Sequence, residues 1–333
     1  MRSWCPETWR SPTSTRRFAS LVAFACAALA ACAAPAPVAQ PRAAILDVHA
    51  RRFVDEATLV ANLAHARYRL LGELHDDPAH HAIRARLIGA IAATGARPAV
   101  VLEQFDLDHD APLRAAQQAG ADAEQLADAG RLDRRGWAWP LHEPIVAQAL
   151  ALHLPIRAGN LPRAVGGAAG ALAPDLNASA QERLAKARWS DVQEKTLRSD
   201  IAEGHCGALP STVVPKLAAA QRERDAAMAQ ALVDAATPDG TILIAGNGHV
   251  RADLGVPLYL HAPGVPDATA RSVSVGFIEV APDEARAEPA RKLASEHPGF
   301  DYLWLTAPVA RDDPCKAFAP REGRARNSKA THP

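Results

Sequence analysis

Tyr68-Arg69-Leu70-Leu71-Gly72-Glu73-Leu74-His75-Asp76-Asp77-Pro78 is the stretch on which the fold turns. Its first half is an apolar run of strand length. Its second half is a helix start, with Asp77 as N-cap and Pro78 at the first helical position, where a missing N–H costs nothing. A buried strand feeding a capped helix is half of a βαβ unit. The pattern predicts a strand over Tyr68–Leu74 and a helix over Pro78–Thr94. Alternate side chains on a strand share a face, so Glu73 and His75 are expected to point the same way.

Outward from this segment the alternation repeats. Strands are expected over Pro98–Phe105, Leu154–Ala158, Thr241–Ala245, Arg271–Val280 and Tyr302–Leu305. Helical spacing covers Asp110–Leu152, with breaks near Gly130 and across Gly136–Pro140, and then Pro174–Glu203, Val214–Ala236 and Glu288–Glu296. The class is α/β, with a mostly parallel central sheet flanked by helices. The stretch between the third and fourth strands, about 80 residues, is longer than a crossover needs. It reads as a helical cap inserted over one end of the sheet, and Gly166, Gly167 and Gly170 mark a loop within it.

Polar residues fall where these strands end. Beside Glu73 and His75 stand Glu103 and Gln104, then Gly159-Asn160, then Gly246-Asn247-Gly248-His249. In a parallel sheet those ends share one edge, where ligand crevices form. A buried carboxylate is costly unless paired, so Glu73 and Glu103 need a reason. Glycines at 72, 159, 246 and 248 permit close approach of a ligand or another backbone. Asp76 and Asp77 read as loop and cap residues. Of His80 and His81, at most one reaches the crevice, because neighbours on a helix face different ways. His65, His109, His153, His261 and His297 read as ordinary structural histidines.

The N-terminal segment describes export. Arg10, Arg16 and Arg17 precede an uncharged run from Phe18 to Ala31, which closes on Leu29-Ala30-Ala31-Cys32. That is a secretory signal over residues 1–31, too short in its apolar part to span a bilayer. The four closing residues resemble a lipobox, which makes Cys32 the lipidated N-terminus. The alternative is an ordinary cut near Ala34. Residues 32–43, rich in Ala and Pro, are expected to be a flexible tether. Ala33 in place of an Asp points to the outer membrane, facing the periplasm. A single domain is expected over 44–318 and a disordered tail over 319–333.

The 37 basic and 37 acidic residues become 33 and 36 once the signal is gone, with no basic stripe of the kind nucleic acid requires. Apart from Cys32, the exported chain keeps only Cys206 and Cys315. An oxidising compartment permits a disulfide between them; two free buried thiols are the alternative.

Three segments, Leu71 to His81, Val101 to Phe105 and Gly246 to Arg251, resemble the ChaN-like family of haem-binding lipoproteins. So do Ala158-Gly159-Asn160-Leu161-Pro162-Arg163, the Gly204-His205-Cys206-Gly207 turn and Asp313-Pro314-Cys315, all in the same order. The family belongs to a wider superfamily with erythromycin esterase-like enzymes and Tiki-type peptidases. The resemblance implies an α/β fold, a part in haem or iron acquisition and a haem-dependent homodimer. An outer-membrane haem receptor is the natural partner.

No Cys-x-x-Cys-His is present, so haem of this kind would be held without covalent attachment. Met228 is the only methionine of the exported chain, which leaves His, Tyr or a thiolate for the iron. His249 and His75 are the first candidates, with Tyr259 behind them. Tyr68 opens the first strand, at the end away from the crevice, and Tyr302 opens a late strand. Arg163 and Arg251 follow strand ends closely enough to meet propionates. Trp137 and Trp139 would line the slot or belong to the core. Glu73, Glu103, Asn160 and Asn247 complete the expected crevice. The competing reading is a hydrolase, an esterase or peptidase, in which His75 and His249 with Glu73 or Glu103 bind zinc or manganese and activate water. A metal-free version uses His75 as general base. Neither His-Glu-x-x-His nor Gly-x-Ser-x-Gly occurs.

Overall fold

A computed structural model describes residues 44–162, 176–281, 287–313 and 315–316. The expected signal, the tether with Cys32, Arg163, the glycine loop at 166–170 and the tail from 319 lie outside them. Eight strands form one sheet: β1 (Ala44–Asp47), β2 (Arg52–Val54), β3 (Tyr68–Leu71), β4 (Ala99–Asp106), β5 (Ile156–Asn160), β6 (Thr241–Ile244), β7 (Ser272–Glu279) and β8 (Tyr302–Thr306). Their order is β2-β1-β8-β7-β3-β6-β4-β5. From β8 to β5 every neighbour is parallel, while β1 runs antiparallel to both β8 and β2.

Helices cover both faces, so the central strands are apolar on both sides. Leu71, Val100, Leu102, Ile242 and Ile244 point into one core with the helices Glu56–Ala64, Pro78–Ala93 and Glu143–Ala151. Leu70, Ala99, Val101 and Leu243 point into the other, against the helix Val214–Ala235. Burying one such Leu or Ile stabilises by roughly 1.5–3 kcal/mol. The Pro78–Ala93 helix begins as its sequence directs. Asp77 accepts from the Ala79 N–H at 2.8 Å, and Pro78 occupies the first turn. It stops before Gly95, whose φ of +97° only glycine adopts readily.

Three expectations are corrected. The first central strand ends at Leu71, not Leu74. Gly72 still donates to the Val275 carbonyl, and the Glu73 carbonyl then accepts from Asn247, so the chain leaves the sheet there. The hairpin β1–β2 was not expected; strands of four and three residues without an intervening helix give little periodic signal. Pro174–Glu203 is not one helical run but Ala178–Lys186 and Asp191–Gly204. Ser190 and Gln193 form a capping box that starts the second helix, a signal that was present in the sequence.

The helical insertion between β5 and β6 has two jobs. Ala226, Ala229 and Leu232, in the second half of Val214–Ala235, pack on the sheet. The middle of the same helix carries Gln221 and Asp225 to the carboxyl end of β6, at His249. Cys206 and Cys315 are joined in a disulfide that closes 109 residues. No helix among the described residues is long and apolar enough to cross a membrane.

Candidate functional site

The segments after β3 and β6, which are neighbours, bring two carboxylate–imidazole clusters together. In the first, Glu73 is the hub and is buried. His75 Nδ1 donates to its Oε1 at 2.5 Å, and Gln104 Nε2 donates to the same oxygen at 3.2 Å. His142 Nε2 lies 3.2 Å from Oε1, and His81 Nδ1 lies 3.4 Å from Oε2. The Arg84 guanidinium pairs with Oε2. The helix Pro78–Ala93 supplies His81 and Arg84 from successive turns, and His142 is the N-cap of Glu143–Ala151. Burial holds both inner imidazoles neutral: His81 is lowered to about 4, and His142 to about 3 with the Arg84 charge adding to the effect. Burial also brings Arg84 down to about 9.

His75 differs from its neighbours because its side chain is 48% exposed. The edge of Trp137 meets its ring at 4.9 Å, and the same indole contacts His142 at 5.8 Å. Nδ1 carries the hydrogen shared with Glu73, and Nε2 makes no hydrogen bond among the described residues.

In the second cluster His249 lies between two acids. Its Nδ1 is 2.6 Å from Asp225 Oδ1 and its Nε2 is 3.2 Å from Glu103 Oε1. Burial opposes the cation, but Glu103 and Asp225 outweigh it and raise His249 to about 10. Burial likewise opposes the charge on Glu103, yet His249 and His75 bring it down to about 2. Burial pushes Asp225 up to about 6, against the pull of His249. Gly246 lies between the clusters. Its N–H donates to Glu103 Oε2 at 2.8 Å, and a Cβ there would sit 3.0 Å from His75 Nε2.

Glu73, His75, Glu103 and His249 therefore share one rim. The other expected residues divide. Asn160 ends β5 opposite Asp106 and is buried. Asn247 spends its amide on the Phe277 backbone, donating to O at 2.6 Å and accepting from N at 3.0 Å, so it ties the turn to β7. Arg251 is engaged by Asp253 and Asp200, each at 2.7 Å, which leaves little charge for a propionate. Tyr259 is fully buried in the core on the side of the long helix, where burial and the nearby Asp225 carboxylate push its phenol up. Trp139 turns away, its indole N–H donating to Glu124. Of the adjacent pair, His81 reaches the site, while His80 accepts from Leu74 N–H and faces Thr306.

Arg84, His142 and Asp225 were not picked out from sequence, whereas Gln104 was, as the amide beside Glu103. Arg84 had a signal: it stands three and four residues after His81 and His80 and, unlike Arg86, falls on the buried face of its helix. Gln221 and Asp225 share a face of their helix, but nothing local connects that face with His249.

Residues 59–260 match the model of the family described as haem-binding uptake, Tiki superfamily, ChaN. ChaN of Campylobacter jejuni, in a structure titled for cofacial haem binding, is 20% identical over 78% of this chain and 95% of its own, with a TM-score of 0.57. The fold is thus shared. The type III effector HopBA1 is 13% identical over 76% of this chain and 93% of its own, at a TM-score of 0.37. Erythromycin esterase EreC is 13% identical over 72% of this chain and 77% of its own, at 0.35. Scores that low carry no functional argument. The search of curated proteins gives no match. With well over half of its length matching that model, the chain belongs to the ChaN family of haem-binding uptake proteins, in the Tiki superfamily.

Proposed function

We propose that this protein binds haem without covalent attachment at the rim, with His75 as the iron ligand, and serves haem or iron uptake at the cell envelope. One observation carries the reading: His75 is the rim imidazole that is half exposed and whose Nε2 makes no hydrogen bond among the described residues. The other ligand types are spent. Tyr68, Tyr259 and Tyr302 are buried, Met228 is buried, and Cys206 and Cys315 are bonded to each other. His249 uses both nitrogens on carboxylates. Trp137 supplies an aromatic wall beside the ligand. A cavity of about 240 Å³ beside β5 lies below the roughly 300–1,000 Å³ of small-molecule sites. Bound haem would contribute the iron; the chain contributes an imidazole held by Glu73 in one tautomer.

The lipobox-like Leu29-Ala30-Ala31-Cys32 supports anchoring through an acylated Cys32, in the outer membrane and facing the periplasm. A haem receptor is the partner upstream, and a haem-dependent homodimer is the form this reading favours. The hydrolase reading with zinc or manganese on His75 and His249 draws less support, because His249 has no lone pair to offer between its two acids.

Haem titration of the full chain tests the proposal. A shifted Soret band is expected, with affinity falling at least about tenfold in His75→Ala, or roughly 1.4 kcal/mol. Undiminished binding by His75→Ala would end the assignment.

A further inference from the structure

Glu73, His81 and His142 place one ligand atom each within 4.8 Å of one another, all buried. Two imidazoles and a carboxylate are a common donor set for a transition metal. The outer contacts have the matching form. His81 Nε2 donates to the His75 carbonyl at 3.0 Å and His142 Nδ1 to the Trp137 carbonyl at 3.1 Å. A carbonyl only accepts, so the protons sit on those nitrogens. The lone pairs of His81 Nδ1 and His142 Nε2 then face inward at Glu73. Lone pairs gathered around a carboxylate are stabilised by a cation among them.

That cation is already in the chain. Arg84 Nη2 contacts Glu73 Oε2 and donates to His81 Nδ1 at 2.8 Å. Two other buried arginines show how unusual this is. Arg69 donates to the Leu63, Ala64 and Asp239 carbonyls, and Arg183 to Gln230 Oε1 and the Tyr259 and Pro266 carbonyls. Arg84 has one backbone acceptor, the His80 carbonyl at 3.4 Å, and its Nη1 has no hydrogen-bond partner among the described residues. Arg69 and Arg183 staple segments together, whereas Arg84 is held by charge and lone pairs.

We propose that Arg84 is the resident cation of a metal-type site built from Glu73, His81 and His142, and that its guanidinium keeps divalent transition metals out. A dication beside it would place three positive charges around one carboxylate. Without the guanidinium, the same three donors take one zinc ion. This claim does not depend on haem binding.

The test uses zinc and the full chain. After equilibration with micromolar zinc and gel filtration, the difference in retained zinc between wild type and His142→Ala is expected to be nil. Arg84→Ala and Arg84→Gln should each retain one extra zinc per chain. Adding His142→Ala to either should weaken that retention at least tenfold. Millimolar ethylguanidinium, which restores the missing group, should compete with zinc in Arg84→Ala. A zinc ion held by wild type and lost in His142→Ala overturns the proposal, as do folded Arg84 variants that hold none. If a variant is unfolded, refolding with zinc or ethylguanidinium becomes the readout. Recovery supports the proposal, and recovery with neither overturns it.

Discussion

His75 and His249 each stand three residues after a glycine, at the ends of neighbouring parallel strands, yet they occupy opposite chemical situations. One touches a single carboxylate and is half exposed; the other is gripped by two and buried. One ring keeps a free nitrogen and the other keeps none. The short sequence element sets position, while the number of acids that converge on each ring sets its chemistry. The second acid of His249 arrives from a helix more than 20 residues upstream, in the insertion.

The strongest way to break this contrast is to delete each ring. His249→Ala leaves Glu103 and Asp225 buried without their shared cation and should cost about 3–5 kcal/mol in urea unfolding. His75→Ala should cost less than about 1 kcal/mol, since that side chain is half solvated. Equal losses would erase the distinction.

Alkaline pH probes the same difference. His249 is held protonated to about 10 in the folded protein, against 6.5 ordinarily. Its contribution to stability is therefore complete below 6.5 and drains away as pH rises through about 10. The thermal midpoint should decline along that limb, and His249→Gln should flatten it. A limb that survives in His249→Gln assigns the effect to another group.

Two glycines give the finest comparison. Gly246→Ala drives a methyl to within 3.0 Å of His75 Nε2, which should lower stability by about 1 kcal/mol and weaken haem binding several-fold. At Gly248→Ala the nearest atom is Gln221 Nε2 at 3.9 Å, and both quantities should stay within about 0.5 kcal/mol of wild type. Matching behaviour of the two variants would mean that Gly246 does not separate the clusters.

The strand–helix alternation made the parallel core legible, because buried strands and capped helices announce themselves locally. The four rim residues Glu73, His75, Glu103 and His249 were legible for a related reason: polar groups abruptly end apolar strands. Arg84, His142 and Asp225 were hidden because each sits on a helix or at its N-cap, where a polar residue is unremarkable until its partner is known. Tyr259 is legible as a chain neighbour of His249, but its complete burial in the core beside the long helix is not. Asn247 lies on the right turn, but its amide satisfies backbone groups of β7 that no periodicity reveals.

The position of β6 has a consequence for assembly. This strand is drawn from residues 241–244 yet sits between β3 and β4, which are less than 30 residues apart. A nascent chain that lacks it has an empty slot in the middle of its sheet, and the two halves of the rim have nothing to join them. Closing such distant pairings is slow and entropically expensive. A chain cut short before residue 241 would carry Glu73, His75 and Glu103 and still lack both His249 and the strand that sets the two clusters side by side.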